Sequence, residues 1–144
     1  MIRKIGENDR EIFLKMSRDF YASDVVFRNI PEKFHEDAFE ELMKSDLYAD
    51  CYIFEYDGQV AGYALLAKTY SREAGGVVIW IEELYVLPLF RGKGIARAFF
   101  DYLFENIPAA RYRLEIEPEN ERAVKLYIEE GFYKLPYHQM IKGD

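Results

Sequence analysis

Apolar positions recur along this chain with two different periods, and the switches between them mark out its elements. Residues 2–5 place isoleucines either side of Arg3 and Lys4 and read as a short first strand. Asn8 and Glu11 form a variant of a capping box, and Ile12, Met16 and Phe20 then recur every four residues, which predicts a helix. A second helix begins at Pro31, a residue suited to a first turn, and carries Phe34, Ala38 and Leu42 on one face. Residues 51–56 and 59–67 are strand-like runs around Asp57-Gly58, a dipeptide that favours a two-residue hairpin turn. After a loop over residues 71–76, the run 77–87 is again strand-like. Ile95, Phe99, Tyr102, Leu103 and Ile107 make the apolar stripe of a third helix, and residues 111–116 return to strand. Asn120 caps a fourth helix through Ala123, Leu126 and Tyr127 that stops at Gly131. Residues 132–141, broken by Pro136, read as one or two edge strands. The order β-α-α-β-β-β-α-β-α-β predicts a mixed α/β domain. No linker, repeat or charge block divides the chain, so residues 1–144 are expected to form one domain.

Composition narrows the classes of function. Half of the residues are hydrophobic and 17% are aromatic, enough for a real core and against disorder. A net charge of -7 and a pI near 5.0 argue against nucleic acid, whose phosphates need a basic face, and leave room for a cationic substrate. Cys51 is the only cysteine, so no intrachain disulfide can form and a reducing cytoplasm is expected. The longest apolar run, residues 61–67, is too short for a bilayer, and residues 1–6 lack the apolar stretch of a signal peptide, so no membrane partner is expected.

Against that acidic background, Arg91-Gly92-Lys93-Gly94-Ile95-Ala96-Arg97 stands out. It joins the strand-like run 77–87 to the start of the third helix, where the macrodipole is already positive and cations are disfavoured. Three cations there point to an anion, held by backbone N–H groups, the helix dipole and basic side chains. The pattern departs from a P-loop, because Lys93 is followed by Gly94 and no Ser or Thr is available for magnesium. It departs from a dinucleotide fingerprint as well. Gly92 and Gly94 match, and Glu115 lies about twenty residues on, but Arg97 stands where the third glycine belongs and Pro88-Leu89-Phe90 separates strand from loop. A pyrophosphate cradle of another kind remains, against the alternative of a solvated basic loop.

The segment Leu84-Tyr85-Val86-Leu87-Pro88-Leu89-Phe90-Arg91-Gly92-Lys93-Gly94-Ile95-Ala96 resembles motif A of the GNAT (Gcn5-related) N-acetyltransferases, [RQ]-x-x-G-x-[GA], through Arg91, Gly94 and Ala96. Residues 120–132 resemble motif B of the same family, N-x-x-A-x-x-L-Y-x-x-x-G-F, through Asn120, Ala123, Leu126, Tyr127, Gly131 and Phe132. Together the two motifs span roughly residues 77–133, in the family's order and with a strand between them. The resemblance implies a mixed, mostly antiparallel sheet flanked by helices, with splayed central strands, and acetyl-CoA as co-substrate. It also implies that the backbone of Leu84, Tyr85 and Val86 pairs with the pantetheine arm, that Arg91, Gly92, Lys93, Gly94, Ile95, Ala96 and Arg97 receive the pyrophosphate, and that Asn120 contacts the pantetheine as well as capping its helix.

The chemistry so implied is direct attack of a neutral amine on the thioester. Deprotonating a lysine-like amine of pKa near 10.4 at pH 7 costs about 4.6 kcal/mol, so a base is needed within reach. Glu82 and Glu83 are the candidates. Local similarity of Trp80-Ile81-Glu82-Glu83 to the diamine acetyltransferase branch favours Glu82, which strand alternation puts on the face of Leu84 and Val86 unless a bulge intervenes. Tyr127 occupies the position of the family's general acid. Cys51 reads as a packing residue, and His35 and His138 lack ligand spacing, so no metal is expected. Tyr21, Ser23 and Asp24 fall where the family builds its acceptor wall. The acceptor is expected to be a small-molecule amine or a peptide or protein amine. The rival reading is a non-catalytic acyl-CoA-binding module that kept the cradle, and an extended C-terminal edge strand would allow a homodimer.

Overall fold

The computed structural model describes residues 1–143. Nine elements follow in the order β1 (Ile2–Lys4), α1 (Arg10–Tyr21), α2 (Glu32–Lys44), β2 (Ala49–Tyr56), β3 (Gln59–Ser71), β4 (Gly76–Val86), α3 (Ile95–Asn106), β5 (Arg111–Leu114) and α4 (Glu121–Glu129). The strands form one five-stranded sheet in sequential order, antiparallel except where β4 meets β5 in parallel. The mostly antiparallel mixed sheet is the one expected. Asp57 and Gly58 both take positive φ, at 53° and 76°, as a two-residue turn of the right twist requires.

Alternation along the central strands feeds two cores. Tyr52, Phe54, Ala64 and Leu66 join Ile79 and Ile81 under α3, whose Ile95, Phe99, Phe100 and Leu103 are buried there. Cys51, Ile53 and Tyr63 join Tyr85 on the opposite face, beneath Phe13, Leu14, Met16 and Phe20 of α1 and Phe39 of α2. Each such large side chain contributes roughly 1.5–3 kcal/mol by leaving water. Helix α2 buries His35 and Phe39 and leaves Phe34 52% exposed, so its inner stripe is rotated by one residue from the one read in the sequence. The reason is a polar residue in the core: His35 Nδ1 lies 2.7 Å from Ser17 Oγ, so a histidine that scores as polar is satisfied inside.

The start of α1 differs too. Asp9, not Asn8, organises it, accepting from Gly6 N at 2.8 Å and from both terminal nitrogens of Arg3. The expected edge strands over residues 132–141 are absent among the described residues. Tyr133 and Met140 stand exposed, and the tail's contact with the body includes Tyr137 Oη donating to Glu73 Oε2 at 2.7 Å. An apolar run without a partner strand gains too little to order as sheet. The homodimer built on an edge strand there loses its ground. No helix among the described residues is long and apolar enough to cross a membrane.

Candidate active site

The parallel pairing of β4 with β5 lasts four residues and ends at Ile81↔Leu114. Beyond it β4 keeps pairing with β3, through Leu84↔Ala64 and Val86↔Gly62, while the chain after β5 turns away. A strand edge is thereby left without a neighbour over the last residues of β4. The divergence opens a cleft of about 1200 Å³, walled by the end of β4, the 91–97 loop, residues 114–117, α4 and the segment after α1.

Glu82 sits at the fork. Opposite β3 the register steps from Leu65↔Glu83 to Leu66↔Ile81, so Glu82 has no partner and forms a β-bulge. The bulge resets the alternation: Ile81 and Leu84, three residues apart, both pack on the α3 core, and Glu83 and Tyr85 turn to the α1 side. Simple alternation, with Ile81 and Glu83 on one face, fails for this reason. Glu82 opens onto the cleft, yet its carboxyl has lost enough hydration to be pushed above the usual carboxylate range, with the charges of Glu115 and Glu83 adding to the shift. Glu115 is the first residue past β5, and so flanks the same fork from the other side.

Glu83, the other candidate, is 8% exposed and turns to the α1 side of the sheet. Its two oxygens accept from Tyr21 Oη at 2.8 Å and Tyr63 Oη at 2.6 Å. Burial raises its pKa, and the two phenols partly offset that by stabilising the carboxylate.

The cationic loop begins with a short 3-10 turn over Pro88–Phe90. Gly92 and Gly94 hold left-handed φ of 78° and 75°, which glycine adopts without penalty. A Cβ at either would meet nothing within 4 Å, so the space before the loop is open. Gly94 caps α3 and supplies no side chain to the first amides of the helix, which have no intrahelical acceptor. That arrangement suits a bound pyrophosphate. The three cations are arranged differently from one another. Arg91 Nε donates to Val86 O at 2.8 Å and its guanidinium lies 5.6 Å from the Tyr85 ring, so it braces the strand end. Lys93 lies 5.6 Å from the Tyr56 ring on the β2–β3 hairpin and does not line the cleft. Arg97 lines it, paired with Glu129 and Glu130 of α4. Ile95 is buried in the core and Ala96 half-buried, so these two offer backbone rather than side chain.

Helix α4 forms the far wall. Asn120 Oδ1 accepts from Ala123 N at 3.2 Å, the capping contact expected from the sequence. Tyr127 meets Phe100 and Phe132 edge-on, with centroids 6.0 and 6.1 Å away, and lines the cleft. Burial raises its pKa, so the phenol keeps its proton. Cys51 is fully buried and burial pushes its thiol up, which leaves no thiolate to act as nucleophile. Among the described residues no three His, Cys, Asp or Glu side chains could together hold a metal ion.

Two features of the cleft escaped sequence reasoning. Glu115 appeared only as a misleading match to a nucleotide motif, and Phe27, with Arg28 stacked 4.4 Å from its ring, lay in a segment with no readable period.

The parting of β4 from β5, the glycine loop at its mouth and the capped α4 fit an acyl-CoA-dependent transferase. Residues 14–132 match the acetyltransferase (GNAT) family, and the chain belongs to it. It is an N-acetyltransferase, passing an acetyl group from acetyl-CoA to an amine. Thialysine N-epsilon-acetyltransferase from Mus musculus is 30% identical over 131 residues, which span 88% of this chain and 71% of that protein. Among solved structures, a possible acetyltransferase from Clostridium difficile 630 superposes with a TM-score of 0.83 at 20% identity, covering 100% of this chain and 97% of that one. The aminoglycoside N-acetyltransferase AAC(6')-Iy bound to a CoA bisubstrate analogue gives 0.80 at 20% identity, with 100% and 97% covered. Ribosomal-protein-alanine N-acetyltransferase from Brucella melitensis biovar Abortus 2308 gives 0.76 at 21% identity, with 99% of each covered. At these identities the solved structures speak for the fold.

Proposed function

We propose that the enzyme acetylates a primary amine by direct attack of the neutral amine on the thioester, with Glu82 as general base and Tyr127 as general acid. One observation carries this reading: a partly desolvated carboxylate at a bulge and a protonated phenol line the same cleft where β4 and β5 part. The backbone of Leu84, Tyr85 and Val86 would hold the pantetheine arm as an added strand. The amides from Gly92 to Arg97 would take the pyrophosphate, with Arg91 and Arg97 supplying charge around it and Asn120 contacting the arm. Bound acetyl-CoA contributes an activated acyl carbon. The protons balance within the chain. Glu82, raised above the usual carboxylate range, takes one from the incoming ammonium, and Tyr127 gives one to the departing sulfur as the C–S bond breaks. The second proton that the nitrogen loses on forming the amide restores the Tyr127 phenol. With Cys51 out of reach in the core, transfer is direct rather than through an acyl-cysteine.

The acidic pair Glu82 and Glu115 at the fork suits an acceptor that arrives as a cation. That acceptor is a small-molecule amine or a peptide or protein amine, and we place the reaction in the cytoplasm on the strength of a single, reduced cysteine. The test is acetyl-CoA turnover against polyamines, amino acids, aminoglycosides and short peptides, read by product mass. An acetylated product is expected, with kcat of Tyr127→Phe lowered about 10²–10⁴-fold and acetyl-CoA binding changed little. An unchanged kcat would remove Tyr127 from the mechanism, and absence of both product and CoA binding would overturn the whole reading.

A further inference from the structure

Tyr21 ends α1 and lines the cleft near Glu82, whose charge contributes to its electrostatic surroundings. Its ring is set by edge-on contacts with Phe20 at 5.2 Å and His35 at 5.8 Å. Its hydroxyl donates to Glu83 Oε2 at 2.8 Å, while Tyr63 donates to Glu83 Oε1 at 2.6 Å. An ionised carboxylate only accepts, so both phenols must spend their single proton on it. For Tyr63, fully buried, the matter ends there. Tyr21 differs in position: it is half-buried and borders the cleft, and a phenol oxygen keeps lone pairs after its proton is committed.

We infer that Tyr21 is an acceptor-binding residue: held by Glu83 with its proton turned inward, it presents an oxygen lone pair to an N–H of the incoming amine beside Glu82. This rests on the amine-acetylating reading above and adds a contact to it. Glu83 then acts as a positioning residue, which gives the second carboxylate of the Glu82-Glu83 doublet a role distinct from that of a base. The arrangement selects for donors. A hydroxyl or amide that must donate can still use Tyr21, but a group able only to accept meets an oxygen with no proton to offer. The burial of Glu83 with two phenols, and with no cation among the described residues, is also explained. A neighbouring Lys or Arg would compete for the carboxylate and free the Tyr21 proton to rotate towards the cleft.

Tyr21→Phe and Tyr63→Phe each remove one hydrogen bond from the same carboxylate, and of the two residues Tyr21 lines the cleft while Tyr63 is fully buried. With thialysine, spermidine and an alanine-initiated peptide as probes, Tyr21→Phe is expected to raise the KM of each amine turned over by about 10–150-fold, the worth of one hydrogen bond to a charged group. KM for acetyl-CoA should stay within about twofold, because the variant leaves the pantetheine and pyrophosphate contacts in place. Tyr63→Phe should lower Tm and leave the amine KM near wild type. Equal effects of the two variants on amine KM, or an unchanged amine KM in Tyr21→Phe, would overturn the inference while leaving acetyl transfer intact. If wild type turns over none of the three probes, calorimetric titration of the CoA-loaded protein with thialysine reads the same contact. Weaker binding to Tyr21→Phe supports it, and equal binding, or none to wild type, overturns it. Failure of turnover and of amine binding together would sink the amine-acetylating reading as well.

Discussion

Gly62 offers the sharpest link between the packing of the sheet and the edge on which acetyl-CoA is proposed to dock. It pairs with Val86 across β3 and β4. A Cβ built at position 62 falls 2.1 Å from the carbonyl oxygen of Tyr85, 3.0 Å from Val86 Cα and 3.0 Å from Phe54 Cδ2. Two of these three obstacles are backbone, so a rotamer change cannot relieve them. Comfortable contact needs more than about 3 Å, so β4 must move by roughly 1 Å or more at Tyr85 and Val86. Forced overpacking costs typically 1–3 kcal/mol, and one or two strained ladder bonds add about 1 kcal/mol each. Gly62→Ala should therefore lose about 3–4 kcal/mol, a large part of the 5–15 kcal/mol available to a domain. At about 3–4 °C per kcal/mol for this size, Tm should fall by roughly 10–15 °C. Thermal unfolding followed by circular dichroism measures that fall, and calorimetric titration at 10 °C below the variant's Tm should show weaker acetyl-CoA binding. A Tm within about 3 °C of wild type would refute the reasoning.

Two further outcomes follow from the electrostatics. Glu115→Gln removes one of the charges that raise Glu82, so the base form of Glu82 should persist to lower pH and the acid limb of kcat/KM should move down; an unmoved limb would show that Glu115 does not act on the base. Asp9 is held below the usual carboxylate range by its bonds to Arg3, so its stabilisation is present above its unfolded pKa near 3.9 and is lost as pH falls through its lower folded value. Asp9→Asn should cost about 2–3 kcal/mol at pH 7 in urea melts, with the gap to wild type closing towards pH 3; a gap that does not depend on pH would contradict it.

Much of the fold was legible because local chemistry and global packing agree. Asp57-Gly58 supplied the positive φ that its turn needs, Asn120 capped α4 as its position before an amphipathic run suggested, and the glycines of the 91–97 loop took the left-handed backbone. The failures have physical causes. The inner stripe of α2 was misplaced because His35 is paired with Ser17 in the core, and periodicity counts histidine as polar. The β3–β4 hairpin runs further than expected, to Ser71↔Gly76, because a ladder can continue through exposed polar residues such as Lys68 and Thr69. Residues 132–141 have strand-like composition, but pairing is a property of a partner and no sequence pattern announces one.

At the candidate site, the loop and the end of β4 were readable from two motifs, whereas the bulge at Glu82 was not. No Gly or Pro marks it, and the acidic doublet Glu82-Glu83 reads the same with or without it. Alternation alone already sets the two carboxylates on opposite faces; the bulge adds that Glu82 has no partner on β3 where the strands part, while Glu83 lies buried between two tyrosines. Lys93 shows the reverse. Its position in the loop suggested a phosphate ligand, and tertiary structure turns it towards Tyr56.

The most direct measurement is the pH dependence of kcat/KM for Glu82→Gln with an amine that the wild-type enzyme acetylates. If Glu82 removes the amine proton, the variant should be about 10²–10⁴-fold slower at pH 7. Its rate should then recover roughly tenfold per pH unit as solvent supplies the neutral amine in place of the lost base. A variant that matches wild type at pH 7 would show that the proton leaves by another route and that the cleft carboxylate is not the base.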